Sequence, residues 1–386
     1  MAGRLLHLLL VTSCAMVCAS CSGQKATAPL AVPAGVQVIQ VTAPATATLS
    51  SRKGSYSFTV KGGEWVDTGV TLAAGDRVEF TTSGTLALSD GRSITPDGLT
   101  RGWKDVLRVF PVNSANVGSL AGRIGDKDAS VPFNIGATKQ MDVTTTGELY
   151  LCANLSSDLT ANSGSMSVKM KLSKIPSAGP VAAVPDIGLL ISPALFNDIP
   201  RRVADQQGNP GDMVNFAVVG TKDQVEKAFA AAGWVTVDKT TEDAIVHGLL
   251  ATLAHEAYVQ MPMSTLYLFG RAQDLSFARA DPLAVAAVRH HLRVWQTTQT
   301  VNGMPLWVGS ATHDNGFEKD QRNGQITHHI DPKIDTERDF IEQSFSSAGV
   351  LRQAAYVTPS DPLKTARTAT GGSFESDGRI VVMLLR

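Results

Sequence analysis

Val288-Arg289-His290-His291-Leu292-Arg293-Val294-Trp295, then Asn302-Gly303, then Trp307-Val308-Gly309-Ser310-Ala311-Thr312-His313-Asp314 is the stretch that decides how the second half of the chain is read. Residues on either side of Asn302-Gly303 alternate apolar and polar, as half-buried strands do. Asn-Gly between two such runs signals a two-residue hairpin turn with both central residues at positive φ. Residues 287–298 and 306–315 are therefore expected to pair, with partner numbers summing to 605 if the turn is type I′. In that register His291 faces Asp314 and Arg293 faces Thr312, with Arg289 on the same side. Leu292 then faces His313, and Val294 faces Ala311, on the other side. An imidazole held beside a carboxylate is oriented for general acid–base work near neutral pH. Two guanidiniums nearby suit a phosphate or carboxylate. The candidate catalytic set is His291, Asp314, Arg289 and Arg293.

Working outward, Met213–Gly220 reads as a buried strand. Thr221 is expected to cap a helix that stops at Gly233, because its hydroxyl can accept from the first helical turn. Trp234-Val235-Thr236-Val237 is a further strand, 241–257 a helix, 336–348 a helix capped by Asp335, and Arg379–Leu385 a closing strand. His328, His329 and Asp331 are candidate ligands for a divalent transition metal, joined by His291 or His290 and by Asp314. Adjacent histidines in a strand point to opposite faces, so at most one of each His-His pair shares a site. A plainer reading stands beside this one. Asp331 before Pro332 is a turn former, and Arg289 and Arg293 make structural ion pairs with Asp335, Glu337 or Asp339. His255-Glu256 lacks the second His of a zinc-protease motif, and no nucleophile elbow, phosphate loop or dinucleotide fingerprint is present.

Before this half the pattern changes. Tyr56–Val60, Arg77–Thr81 and Ser165–Met170 alternate with period two, between frequent Gly, Asp and Asn turns. That is an all-β sandwich over 53–174. A Pro- and Ala-rich stretch, 175–189, separates it from a mixed-sheet α/β (α+β) domain over 190–386. The fold class is thus multidomain. With 34 Lys+Arg against 35 Asp+Glu in 386 residues, the net charge of −1 gives no basic face, and nucleic acid is excluded as a partner.

Within the sandwich, Gly63–Val70, Ala74–Val78, Thr95-Pro96-Asp97-Gly98 and Asn162–Val168 occur in an order that resembles the PA-IL type of galactophilic lectin. The resemblance implies a galactose-binding-like sandwich in which Asp and Asn oxygens hold calcium and the sugar completes its shell. On the matching loop Asn154, Asp158 and Asn162 are the implied ligands, while Leu155 and Ala161 stand where the family carries two further oxygens. Calcium and a glycan are the cofactor and partner so implied. In the second half, Leu266–Asp274, Val288–Trp295, Trp307–Asp314, Thr327–Asp339, Asn215–Gly220 and Ser376–Arg379 together resemble the LssY C-terminal domain family. That likeness implies a link to the bacterial envelope and no assigned chemistry.

The chain opens with Arg4, an apolar run from Leu5, and the small-residue exit Cys18-Ala19-Ser20-Cys21. A short apolar segment of this kind is a secretory signal. It resembles a bacterial lipoprotein signal over 1–20 with lipidation at Cys21, and Ser22 resembles the outer-membrane sorting pattern. Residues 21–52, rich in Ala, Thr and Pro, are expected to be a flexible tether. Cys152 would then be the one thiol left, as a buried strand residue. The expected protein is an envelope lipoprotein that binds surface glycan or another envelope component through a carbohydrate-binding-like module. The alternative is a phosphoester or related hydrolase using the 289–339 cluster. A second alternative is a secretion-accessory or structural lipoprotein without enzymatic activity.

Overall fold

Strict alternation builds the first half. In Ala161–Lys174, Met166, Val168, Met170 and Leu172 are buried while Ser167, Lys169 and Lys171 are exposed. This long strand lies between Gly54–Val60 and Asp76–Leu88, and Ser93–Ile94 and Thr138–Asp142 complete a five-stranded sheet. A second sheet holds Val66–Leu72, Gly147–Ala153, Leu120–Ile124 and Phe133–Asn134. The inward residues of both sheets share one apolar core, including Leu72, Phe80, Leu120, Leu151 and Met166. This is the expected sandwich. Cys152 is a free, fully buried thiol on Gly147–Ala153, and burial pushes its pKa up to about 12, so it is inert as a nucleophile.

The computed structural model describes residues 31–39, 54–105, 108, 110–125, 129–174, 185–237, 264–280, 288–319, 326–368 and 371–386. The leader 1–20, Cys21 and the helix expected at 241–257 lie outside the described residues. Residues 32–386 form one compact unit. Among the described residues no helix is long and apolar enough to cross a membrane.

The second half is organised by one large sheet. In chain order its strands are β1 (Val36–Ile39), β2 (Phe216–Val219), β3 (Val235–Thr236), β4 (Leu275–Ala280), β5 (Val288–Val301), β6 (Met304–Lys319), β7 (Ile326–Ile330), β8 (Leu351–Val357) and β9 (Ile380–Leu385). They lie in the order β1-β8-β9-β2-β6-β5-β4-β3, and β7 pairs β6 farther along. Strand β2 runs parallel to β9 and the other pairs are antiparallel, so the sheet is mixed as expected. Both β2 and β9 are continuous apolar runs buried throughout, because apolar residues cover both faces of the sheet. On one face, helices α1 (Lys222–Ala231) and α2 (Ile334–Ser347) seal a core containing Phe229, Leu292 and Phe345. On the other face Trp295, Val308 and Val382 meet Phe196 and Ile187. Thr221 does cap α1, in a reciprocal box with Gln224. Gly309 lies where β6 passes under Phe216: a Cβ there would stand 2.0 Å from the ring, so the strand requires glycine at this point.

Three expectations are corrected here. Within the expected tether 21–52, Val36–Ile39 is an edge strand of the large sheet, paired with β8. Its apolar residues pack on the core beside Ile187, which is itself buried inside the expected linker. Asp335 is not the helix cap. The cap position is Lys333, and Asp335 sits in the first turn, where it accepts from Ser376 Oγ at 2.7 Å, the Asp377 amide at 2.6 Å and Arg338 at 3.2 Å.

Candidate functional site

The hairpin turn forms as its dipeptide demands: Asn302 and Gly303 both have positive φ, 50° and 78°. At the tip, Val301 faces Met304 and Thr300 faces Pro305, which is the expected register. The register then shifts between Gln296 and Thr300, so that Gln296 faces Trp307. Two causes meet at this bulge. Pro305 has no amide hydrogen to give to the ladder. The Thr297 hydroxyl instead donates to the Leu306 carbonyl at 2.8 Å, and the Gln296 amide turns to Asp274 at 2.7 Å. The expected pairings are therefore corrected by two residues: Arg289 faces Asp314, His290 faces His313, His291 faces Thr312 and Arg293 faces Ser310. A shift of two preserves side-chain faces. His291 and Asp314 thus remain on one face, as diagonal neighbours.

Their side chains meet. His291 Nε2 lies 2.8 Å from Asp314 Oδ1, with the imidazole residue 8% exposed and the carboxylate residue 1% exposed. Thr312 Oγ1 stands 3.4 Å from Nδ1 and 3.3 Å from Nε2. With Nε2–H given to Asp314, Nδ1 carries the lone pair that can take a proton. Arg293 is buried and its Nε donates to the Ser264 carbonyl at 3.0 Å. The Arg289 and His328 side chains lie outside the described residues.

Two of the expected metal ligands, His329 and Asp331, each have a hydrogen-bond partner. His329 Nδ1 is engaged with Asn315 Oδ1, and Asp331 Oδ1 accepts the Lys333 amide at 2.9 Å, closing the turn expected of an Asp-Pro pair. Among the described residues no three His, Cys, Asp or Glu side chains are grouped to hold a metal ion.

On the helix face of the same hairpin lies a second polar group that the sequence reading did not assemble. His290 Nδ1 is 2.6 Å from Glu337 Oε2, and its ring stacks on His313 at 4.3 Å and on Phe340 at 3.9 Å. Glu337 is 2% exposed, on the stripe Ile334, Glu337, Ile341, Ser344, Phe345 that α2 turns to the sheet. A carboxylate on an otherwise inward stripe was the available signal. Burial pushes Glu337 up to about 8, against the pull of His313, His291 and Arg279 and with the push of Asp314. Burial, with the neighbouring His290, lowers His313.

This arrangement makes stability pH-dependent. Glu337 holds in the fold a proton that the unfolded chain releases near 4.5, so its contribution is full below that pH and is lost as pH rises towards about 8. His313 acts oppositely, but only up to its ordinary value of 6.5. Thermal unfolding followed from pH 6.5 to 8 should therefore show a falling midpoint in the wild type and a flatter one in Glu337→Gln. Equal slopes would contradict the assignment.

At one end of the sandwich the implied calcium ligands have other partners. Asn154 is fully buried: its Oδ1 accepts the Val112 amide at 2.9 Å, and its Nδ2 donates to the Val112 and Asn116 carbonyls at 3.0 Å. Asp158 Oδ1 accepts from Ser156 Oγ at 2.5 Å, and Oδ2 from Arg108 at 2.8 Å. Asn162 is exposed, at the register break between Ala161 and Ser163. Arg108 continues to Asp105 at 2.9 Å, and Arg92 grips Asp105 with two bonds of 3.0 Å and Asp90 with one of 2.8 Å. Burial alone would raise the Asp105 carboxyl, but Arg92, the Gly102 amide and Arg108 outweigh it and hold it at about 2. Asp105 thereby pins a short 3-10 turn, Trp103–Asp105, whose indole is 80% exposed. Sequence reading passed over Trp103, because nothing in its neighbours announces exposure.

Residues 196–380 match the family model LssY_C, described as LssY C-terminus. A solved structure described as "EclA N-terminal domain; PllA-like lectin" is similar over 31% of this chain and 95% of that chain, at 21% identity and a TM-score of 0.22. No curated protein matches the chain.

Proposed function

We propose that the chain, whose residues 196–380 match the LssY C-terminus family model, is a lipid-tethered protein of the bacterial envelope whose β-sandwich binds a surface glycan. The observation that carries this reading is Trp103. A large aromatic ring left 80% exposed on a turn fixed by a guanidinium–carboxylate network is a platform for the apolar face of a sugar ring. The N–H groups of Arg92 and Arg108 and the carboxylates of Asp90 and Asp158 supply donors and acceptors for hydroxyls around it. The tether reading rests on the leader and Cys21, and it puts the protein on the outer membrane. A glycan array probed with the full chain should light up for at least one saccharide class, and Trp103→Ala should weaken the signal about 5- to 30-fold while the circular dichroism spectrum stays unchanged. A signal of unchanged strength in the variant contradicts the assignment.

A second reading has its own observation, the bond of 2.8 Å between His291 and Asp314. Here His291 Nδ1 takes the proton from an attacking water and Asp314 orients the ring, in hydrolysis of a phosphoester or related envelope substrate. The 8% exposure of His291 ranks this reading second. Turnover of a generic phosphodiester that disappears in His291→Gln, with the fold retained, would establish it. Turnover unchanged in that variant would remove it.

A further inference from the structure

We infer that the glycan-binding end of the sandwich is built around arginine where its lectin-like pattern implies calcium, and that it binds its saccharide without a metal ion. The inference rests on the glycan-binding reading above.

Calcium asks for six to eight oxygens turned to one point. The oxygens implied by the sequence do not offer that. The Asn154 amide is sealed in the interior with its oxygen accepting from a backbone N–H. Both Asp158 oxygens are engaged, one by Ser156 and one by Arg108. Leu155 and Ala161 carry no side-chain oxygen at all. Positive charge is nevertheless present, and it is covalently attached. The Arg108 guanidinium bridges Asp105 and Asp158, at 2.9 and 2.8 Å, and Arg92 bridges Asp105 and Asp90. Two guanidiniums thus tie three carboxylates into one network. A planar, permanently charged fork is suited to this, since it satisfies carboxylates in fixed directions as a chelated ion would. Its lowered Asp158 and Asp90 carboxyls are held by Ser156 and Arg108 in the first case and by Arg92 in the second.

The functional consequence concerns how hydroxyls are recognised. In a calcium site the sugar oxygens enter the metal's shell. Among the described residues this network offers them N–H donors and carboxylate acceptors, on the turn that carries Trp103. The class of ligand that fits is a pyranose with an apolar face and vicinal hydroxyls, and recognition is indifferent to chelators.

The test uses the full chain and has two independent arms. In the first, thermal unfolding is followed in EDTA and in excess calcium chloride. The same midpoint in both is expected, and a midpoint raised by calcium overturns the inference whether or not any sugar binds. In the second, a glycan array is probed in EDTA and in calcium. Equal signal in both supports the inference. Signal that appears only with calcium overturns it and leaves the glycan-binding reading standing. A blank array in both conditions overturns the glycan-binding reading, and the unfolding arm then decides the calcium question by itself.

Discussion

Trp103→Ala should weaken glycan binding about 5- to 30-fold, the loss of roughly 1–2 kcal/mol of ring stacking. The same substitution should change the stability by no more than about 0.5 kcal/mol, because the ring is mostly exposed and substitutions at exposed positions rarely cost more. The two halves of this result belong together. The indole is 80% exposed, so little folding energy depends on it. The turn beneath it is held by Asp105, which accepts from the Gly102 amide and from both arginines, so the backbone has no reason to move when the ring is removed. A variant that loses binding and stability together would show a structural role. A variant that loses neither would show that the ring is not the platform.

Asp314→Ala should have the largest effect on the fold, about 3–5 kcal/mol in a denaturant titration. The carboxylate is 1% exposed and 2.8 Å from His291. Its removal strands a buried imidazole N–H, which then forfeits the hydrogen bonds it would have in water. Asp314→Asn keeps an acceptor and should cost less. Replacing both residues, as in His291→Leu with Asp314→Ala, should recover part of the loss, since an apolar pair of similar volume is often tolerated where a polar pair is broken badly. A single Asp314→Ala costing under about 0.5 kcal/mol would mean that the pair does not hold the hairpin together.

Which parts of this molecule could be read in advance follows from the range of the forces involved. The sandwich strands were legible because period-two burial is local: Met166, Val168, Met170 and Leu172 mark their own strand. The Asn302-Gly303 turn was legible because positive φ is set by two residues. The register beyond it was not, because the bulge depends on Asp274 and Leu306, whose spatial neighbours the sequence does not display. The face assignment survived that error only because the slip was even. Glu337 and His290 escaped because their meeting requires α2 to lie across β5. The partners of the implied calcium ligands were illegible for the same reason: Asn154 bonds to Val112 and Asn116, and Asp158 to Arg108, all distant in sequence. Val36–Ile39 reads as tether in the sequence because four residues of modest hydrophobicity carry little signal until β8 offers an edge.

The most direct test of the central claim is a crystal structure of the full chain soaked, in the presence of EDTA, with the saccharide selected on the array. The account predicts a sugar ring lying flat on the Trp103 indole, with hydroxyls in contact with Arg92, Arg108 or Asp158. Saccharide density at any other place on the sandwich, or around a metal ion when calcium replaces EDTA, would contradict it.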